Sequence, residues 1–280
     1  MDCSRETGTF RDLLPPEATL PFQGYNLMIR LVIERLLRNT VIKRRLPSAF
    51  GSIPLYVSPD AQLKYLKPRF DEDLLQVVST WIQPDSIVWD VGANVGVFAL
   101  AAAAKAAEGQ VLAIEPDIWL AGLIGKSVTL TPRLVPRISV LPAAISSKNG
   151  METFLIANRG RASNSLESAG GRSQMGGVRK RVCVCTLTLD TLLDSCPGPT
   201  FLKIDVEGAE LEVLRGARRV LDEIRPVMHI EVDESLSGEV STFLLESNYV
   251  LFDGAVPYVK SNCLTQCVFN TLAIPEERVH

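Results

Sequence analysis

The stretch "SIVWDVGANVGVFAL", residues 86–100, decides the fold. An apolar run ends at Asp90; Gly92, Asn94 and Gly96 follow, and a second apolar run begins at once. The pattern is strand, glycine turn, helix. Glycines let a backbone turn tightly and approach a ligand, and the start of the helix behind them favours polar or anionic ligand groups. Ligands of open parallel sheets bind beyond the carboxyl ends of the strands, so this loop marks the ligand edge.

Working outward, strand-like runs recur at 87–91, 111–115, 138–141, 201–205 and 227–232, with helix-like runs at 95–107, 117–130, 208–223 and 236–247. Strands alternating with helices predict a mostly parallel, covered sheet of the α/β class. Runs near 249–252 and 266–273 are expected to close it as a hairpin. Upstream, 71–81 reads as a helix, 51–59 as extended, and 26–45 as a basic amphipathic helix. That basic helix is open to four readings: packed across the domain, a homo-oligomer contact, a substrate lid, or a membrane-surface helix. The expected organisation is an N-terminal helical and extended appendage over 1–69 and a sheet domain over 70–280.

The alternation breaks at 158–180, "NRGRASNSLESAGGRSQMGGVRK", which is rich in Gly, Ser and Arg and flanked by extended runs. Loops of this length are usually functional or disordered. We expect an inserted strand pair over about 151–188 carrying a mobile basic loop. It is either a lid for a phosphorylated or nucleotide-linked sugar or a solvated loop.

With 280 residues, 46% of them hydrophobic, the chain can bury a large core. A formal net charge of −3 argues against a nucleic-acid partner. The polar start lacks an apolar signal core, and the apolar run 97–107 contains Lys105 and is too short for a bilayer; a soluble, cytoplasmic protein without a transmembrane segment is expected. The six cysteines are scattered. The C-x-C of Cys183 and Cys185 and the C-x₃-C of Cys263 and Cys267 match zinc-site spacing poorly, so no metal site is assigned.

The glycine loop does not follow the dinucleotide pattern G-x-G-x-x-G. It carries Asp90 just before its first glycine, an acid that would repel a pyrophosphate but suit an ammonium. Glu115, ending the next strand, can accept hydrogen bonds from ribose hydroxyls. S-adenosylmethionine has an amino-acid end, a ribose and no phosphate, and it fits both acids better than NAD does.

"DVGANVG", "AIEPD", "LPAAIS", "TLTLDTLL" and "FLKIDVEGAELEVLRGA" occur here in one order. In this the sequence resembles the FkbM-type family of class I S-adenosylmethionine-dependent methyltransferases, over roughly residues 70–255. The resemblance implies a Rossmann-like fold, a seven-stranded, mostly parallel sheet with helices on both faces. It also implies O-methylation of hydroxyls on sugars, glycoconjugates or secondary metabolites, hence a small-molecule or glycan acceptor. Asp90, Gly92, Asn94 and Gly96 would surround the methionine and ribose parts of the cofactor. Glu115 would hold the ribose, Pro116 and Asp117 would lie beside the adenine, and Ala143 and Ala144 would bring backbone to it.

The candidate catalytic residues lie further along. Asp205 ends the strand of "FLKIDVEGAE" on the same face as Lys203. Glu207 and Glu210 sit near a helix start, where negative charge is favoured, and Glu210 is expected to cap. His229 and Glu231 share a face of the next strand. An alcohol is a weak nucleophile, so a nearby base helps. Asp205 is the first candidate and Glu231 the second; His229 is either a third or a satisfied core residue. Asp205, Glu207 and Glu231 could alternatively hold Mg²⁺. N-methylation, disfavoured by D-V-E-G in place of D-P-P-Y, and a non-catalytic binding module remain as other readings.

Overall fold

A computed structural model describes residues 33–170 and 175–279. A helical turn over 33–36 leads to β1 (Ile42–Arg45), which pairs antiparallel with β2 (Pro54–Val57), and α1 (Glu72–Trp81) follows. Then come β3 (Ile87–Val91), α2 (Val97–Lys105), β4 (Gln110–Ile114), α3 (Ile118–Thr129) and β5 (Ile138–Leu141). A second sheet holds β6 (Ala144–Ile145), β7 (Gly150–Ala157), β8 (Ser165–Leu166) and β9 (Val178–Leu187). The chain returns through α4 (Leu189–Leu192), β10 (Phe201–Ile204), α5 (Glu210–Arg215), β11 (Val227–Glu231), α6 (Ser237–Glu246), β12 (Tyr249–Asp253) and β13 (Asn270–Pro275).

The main sheet has seven strands in the order β12-β13-β11-β10-β3-β4-β5. β11, β10, β3, β4 and β5 are parallel, and β13 runs antiparallel between β11 and β12. This is the mostly parallel α/β sheet that the strand–helix alternation predicts, in the seven-stranded, Rossmann-like form that the family resemblance implies. Alternate residues of each strand face opposite sides. Val88, Val111, Ala113 and Phe201 join one apolar cluster; Trp89, Val91, Leu112, Ile114, Leu202 and Ile204 join the other. Burying each large apolar side chain is worth about 1.5–3 kcal/mol. α2 is apolar all round because it is covered all round: Val97 to Ala103 are all buried between the sheet and the residues that precede it in the chain.

Two sequence expectations are corrected. The basic helix expected over 26–45 falls partly outside the described residues. Within them, the helical turn ends at 36, Asn39 takes a left-handed φ of 56°, and 42–45 is a strand. Val41 and Ile42 are β-branched and favour that outcome. The appendage's described part is thus a β-hairpin, and its Leu46, Phe50, Leu55, Val57 and Tyr65 share one cluster with α2 and α3. The single helix expected over 208–223 is interrupted at Gly216, where an added Cβ would lie 2.3 Å from the Ser146 carbonyl oxygen. A five-residue π-helical turn, Val220–Ile224, follows.

The inserted segment is a folded layer. β7 pairs with both β8 and β9, β6 runs parallel to β9, and Phe154, Ile156, Leu166 and Val184 make its own small core. Met175 packs on Leu155 and Ala157. No helix among the described residues is long and apolar enough to cross a membrane.

Candidate active site

The glycine loop is shaped by contact with the residue that follows the neighbouring strand β10. Gly92 has φ 78°, and a Cβ there would fall 1.8 Å from the Asp205 carbonyl oxygen. Only glycine allows the backbones leaving β3 and β10 to touch. Asn94 is left-handed as well, φ 52°, which its short polar side chain tolerates. The Asn94 N–H donates to Glu115 Oε2 at 2.8 Å, and the Asp117 N–H donates to Glu115 Oε1 at 2.8 Å. Glu115 is therefore fixed at the end of β4 by two backbone donors. Burial outweighs them and pushes its carboxyl up to about 8.

One cavity gathers Gly92, Asn94, Glu115, Pro116, Ala143 and Ala144 with Asp205 and Glu207. Its far wall is the inserted sheet, through Phe154, Asn164 and Leu166. Three residues expected at the cofactor lie outside that lining. Gly96 sets the start of α2, with φ 82° and Ile124 packed over it. Asp117 caps α3 by accepting from the Trp119 N–H at 3.0 Å, and accepts from Arg161 and from Asn164 Nδ2. Asp90 is fully buried and faces Lys203 Nζ, 3.2 Å from its Oδ1.

A second cavity adjoins the first and shares Gly92, Asn94, Ala162, Asp205 and Glu207 with it. It is lined in addition by Lys203, His229, Glu231 and Asn270 from the sheet, and by Gln62, Lys64, Tyr65 and Asp71 from the segment before α1. All three candidate catalytic residues thus meet one space. Asp205 lies on the boundary of both cavities. His229 is buried, with no hydrogen-bond partner for Nδ1. Burial, with the Lys203 charge in second place, pushes its pKa down to about 4, so it is neutral at pH 7. Glu210 accepts from the Gly208 N–H at 2.8 Å and closes the turn after β10, ahead of the helix it was expected to cap.

In the basic segment read as either a lid or a solvated loop, three arginines are engaged in internal contacts. Arg161 pairs with Asp60 and Asp117 and lies over the Trp119 ring, Arg179 pairs with Asp60, and Arg181 pairs with Glu167. Arg172 lies outside the described residues. Among the described residues, no group of three or more His, Cys, Asp or Glu side chains is arranged for a metal ion.

A family model described as the methyltransferase FkbM domain matches residues 90–251, more than half of the chain. The chain belongs to the FkbM methyltransferase family. Hexuronic acid methyltransferase AglP of Haloferax volcanii is 27% identical over 179 residues, 63% of this chain and 68% of that protein. Among solved structures, methyltransferase FkbM from Methylobacillus flagellatus matches with a TM-score of 0.47 and 18% identity. That match covers 69% of this chain and 44% of the other, so this chain spans less than half the length of that protein. TYW2 of P. horikoshii, in complex with MeSAdo, matches with a TM-score of 0.42 and 13% identity over 94% of this chain and 86% of that one.

The FkbM family implies S-adenosylmethionine as methyl donor, and the first cavity suits it. Asn94 Oδ1 is buried there without a hydrogen-bond partner, Glu115 offers carboxyl oxygens for ribose hydroxyls, and Ile114, Pro116, Ala143, Ala144 and Phe154 add apolar surface. The residue that sequence reasoning undervalued in this FkbM domain is Lys203. It was noted only as sharing a face with Asp205, because a lysine inside an apolar strand signals nothing until its neighbours are known. The parallel register sets Lys203 directly between Asp90 and His229. Burial alone would push its pKa down; Asp90, Asp205 and Glu231 together more than reverse this and raise it.

Proposed function

We propose that this methyltransferase moves the methyl group of S-adenosylmethionine to a hydroxyl oxygen of a sugar or glycoconjugate, with Asp205 taking the hydroxyl proton. The observation that carries this reading is the position of Asp205, a carboxylate on the shared boundary of the two cavities. When bound, S-adenosylmethionine supplies an electrophilic methyl carbon on a sulfonium. The chain supplies position and proton removal. Asn94 and Glu115 hold the nucleoside side, and the second cavity orients the acceptor. Glu231 and Asn270, neighbours in register at the end of β11, offer polar groups to further acceptor hydroxyls. His229 is almost fully buried, which favours a packing role over contact with the acceptor hydroxyl. The Lys203 ammonium between Asp90 and Asp205 offsets part of the negative charge of the site. A sugar acceptor is favoured over other metabolites by the likeness to a hexuronic acid methyltransferase.

The test is methyl transfer from labelled S-adenosylmethionine to a mixture of methyl glycosides of hexoses, hexosamines and hexuronic acids. We expect products whose NMR spectra show a methyl group on oxygen. Methyl found only on the hexosamine nitrogen, or no labelled product at all, would overturn the reading.

A further inference from the structure

The Lys203 ammonium has three N–H donors; it donates to the Gly92 carbonyl oxygen and to Asp205 Oδ2, and it forms an ion pair with Asp90. Nζ lies 3.2 Å from Asp90 Oδ1, 3.2 Å from the Gly92 carbonyl oxygen and 3.5 Å from Asp205 Oδ2. These contacts come from two pieces of chain: the end of β3 with the glycine loop that follows it, and the residue after β10. Lys203 itself is only 3% exposed. A lysine is rarely buried this deeply unless paired, and an ion pair with Asp90 alone would meet that need. The other two contacts reach outward to the reacting edge. The same Gly92 whose carbonyl accepts from Lys203 also touches the Asp205 backbone.

We propose that Lys203 is a positioning residue for methyl transfer, its ammonium locking the Asp205 carboxylate against the glycine loop so that the acceptor hydroxyl meets the carboxylate in one orientation. Other titratable groups surround this unit: Asp90 on β3, His229 and Glu231 on β11, Glu207 after β10, and Tyr65 before α1. His229 lies opposite Lys203 in register and is neutral at pH 7, so it does not repel the ammonium. The inference rests on Asp205 being the proton acceptor.

A plain Lys203→Met variant leaves the buried Asp90 charge without its counter-ion and can fail to fold for that reason alone. The informative variant is Lys203→Met with Asp90→Asn, which removes the pair together. It is compared with Asp205→Asn and with the triple variant, on the same mixture of methyl glycosides. Thermal unfolding and calorimetric titration with S-adenosylhomocysteine establish folding and cofactor affinity in each. If Lys203 acts through Asp205, the paired variant folds, binds S-adenosylhomocysteine within about threefold of wild type, and loses about 100-fold in kcat, the lower range for a positioned base. Added to Asp205→Asn, the same pair of substitutions then changes kcat by less than about threefold, because residues acting as a unit are not additive. Equal losses in both backgrounds, or a paired variant with wild-type kcat, would overturn the proposal. So would a paired variant that fails to fold or loses S-adenosylhomocysteine, since Lys203 would then serve the fold or the cofactor. Full activity of Asp205→Asn, or a wild type inert on every glycoside, would instead remove the reading beneath it.

Discussion

Gly92 carries the tightest constraint at the scale of single residues. A side chain there meets both a positive φ and the Asp205 carbonyl at 1.8 Å. Gly92→Ala is expected to cost more than the roughly 1–3 kcal/mol of backbone strain alone, read as a lower Tm and loss of S-adenosylhomocysteine binding. Glu115 and His229 make opposite contributions to the pH dependence of stability. Glu115 is raised from 4.5 to about 8, so the folded protein holds a proton that the unfolded chain releases; its contribution is present below pH 4.5 and is lost as pH rises to about 8. His229 is lowered from 6.5 to about 4, so its contribution is present above pH 6.5 and is lost as pH falls to about 4. Between about pH 4.5 and 6.5 the two slopes cancel in the apoprotein. We predict that Glu115→Gln exposes a stability that rises with pH over that window, and that His229→Gln exposes one that falls; urea unfolding at stepped pH measures both. Glu115 was legible in the sequence because a carboxylate at the end of the second strand is a local pattern. The pairing of Asp90 with Lys203 was not, because the two are 113 residues apart and meet only through strand register.

At the scale of elements, the inserted sheet forms a wall of the cofactor cavity and is tied down by charge. Arg161 reaches Asp60 before α1 and Asp117 at the start of α3, with its guanidinium 4.5 Å from the Trp119 ring centroid. The Arg161 side chain is only 12% exposed, and breaking a buried pair by removing one partner typically costs about 3–5 kcal/mol. Arg161→Met should therefore lower Tm and weaken S-adenosylhomocysteine binding about tenfold, roughly 1.4 kcal/mol. Arg181→Met, which removes an exposed pair with Glu167, should change neither by a measurable amount. The sequence showed the flanking strands through their alternation. It did not show the clamp, since the same arginines read as a solvated basic loop until Asp60 and Asp117 are seen beside them. The departure at 37–45 from the helix expected over 26–45 has a similar cause: charge spacing on a short segment fits a helix and an edge strand alike, and packing of β2 against α3 decides between them.

At the scale of the whole molecule, the parallel sheet brings the ends of β3, β4, β10 and β11 to one edge, and the inserted sheet and the segment before α1 close over it from two sides. The sheet was legible because its periodicity is carried by every element. The junction of the two cavities was not, because it depends on the contact of Gly92 with Asp205 and on the inserted wall. Asp205 stands at that junction, where in the proposed reaction it serves the transfer rather than cofactor binding. Single-turnover methyl transfer by Asp205→Asn at saturating S-adenosylmethionine, beside wild type and with a methyl glycoside that wild type accepts, tests it most directly. We expect a rate about 100-fold lower with S-adenosylhomocysteine affinity unchanged. A rate within about threefold of wild type, or a loss of rate explained entirely by lost cofactor binding, would contradict it.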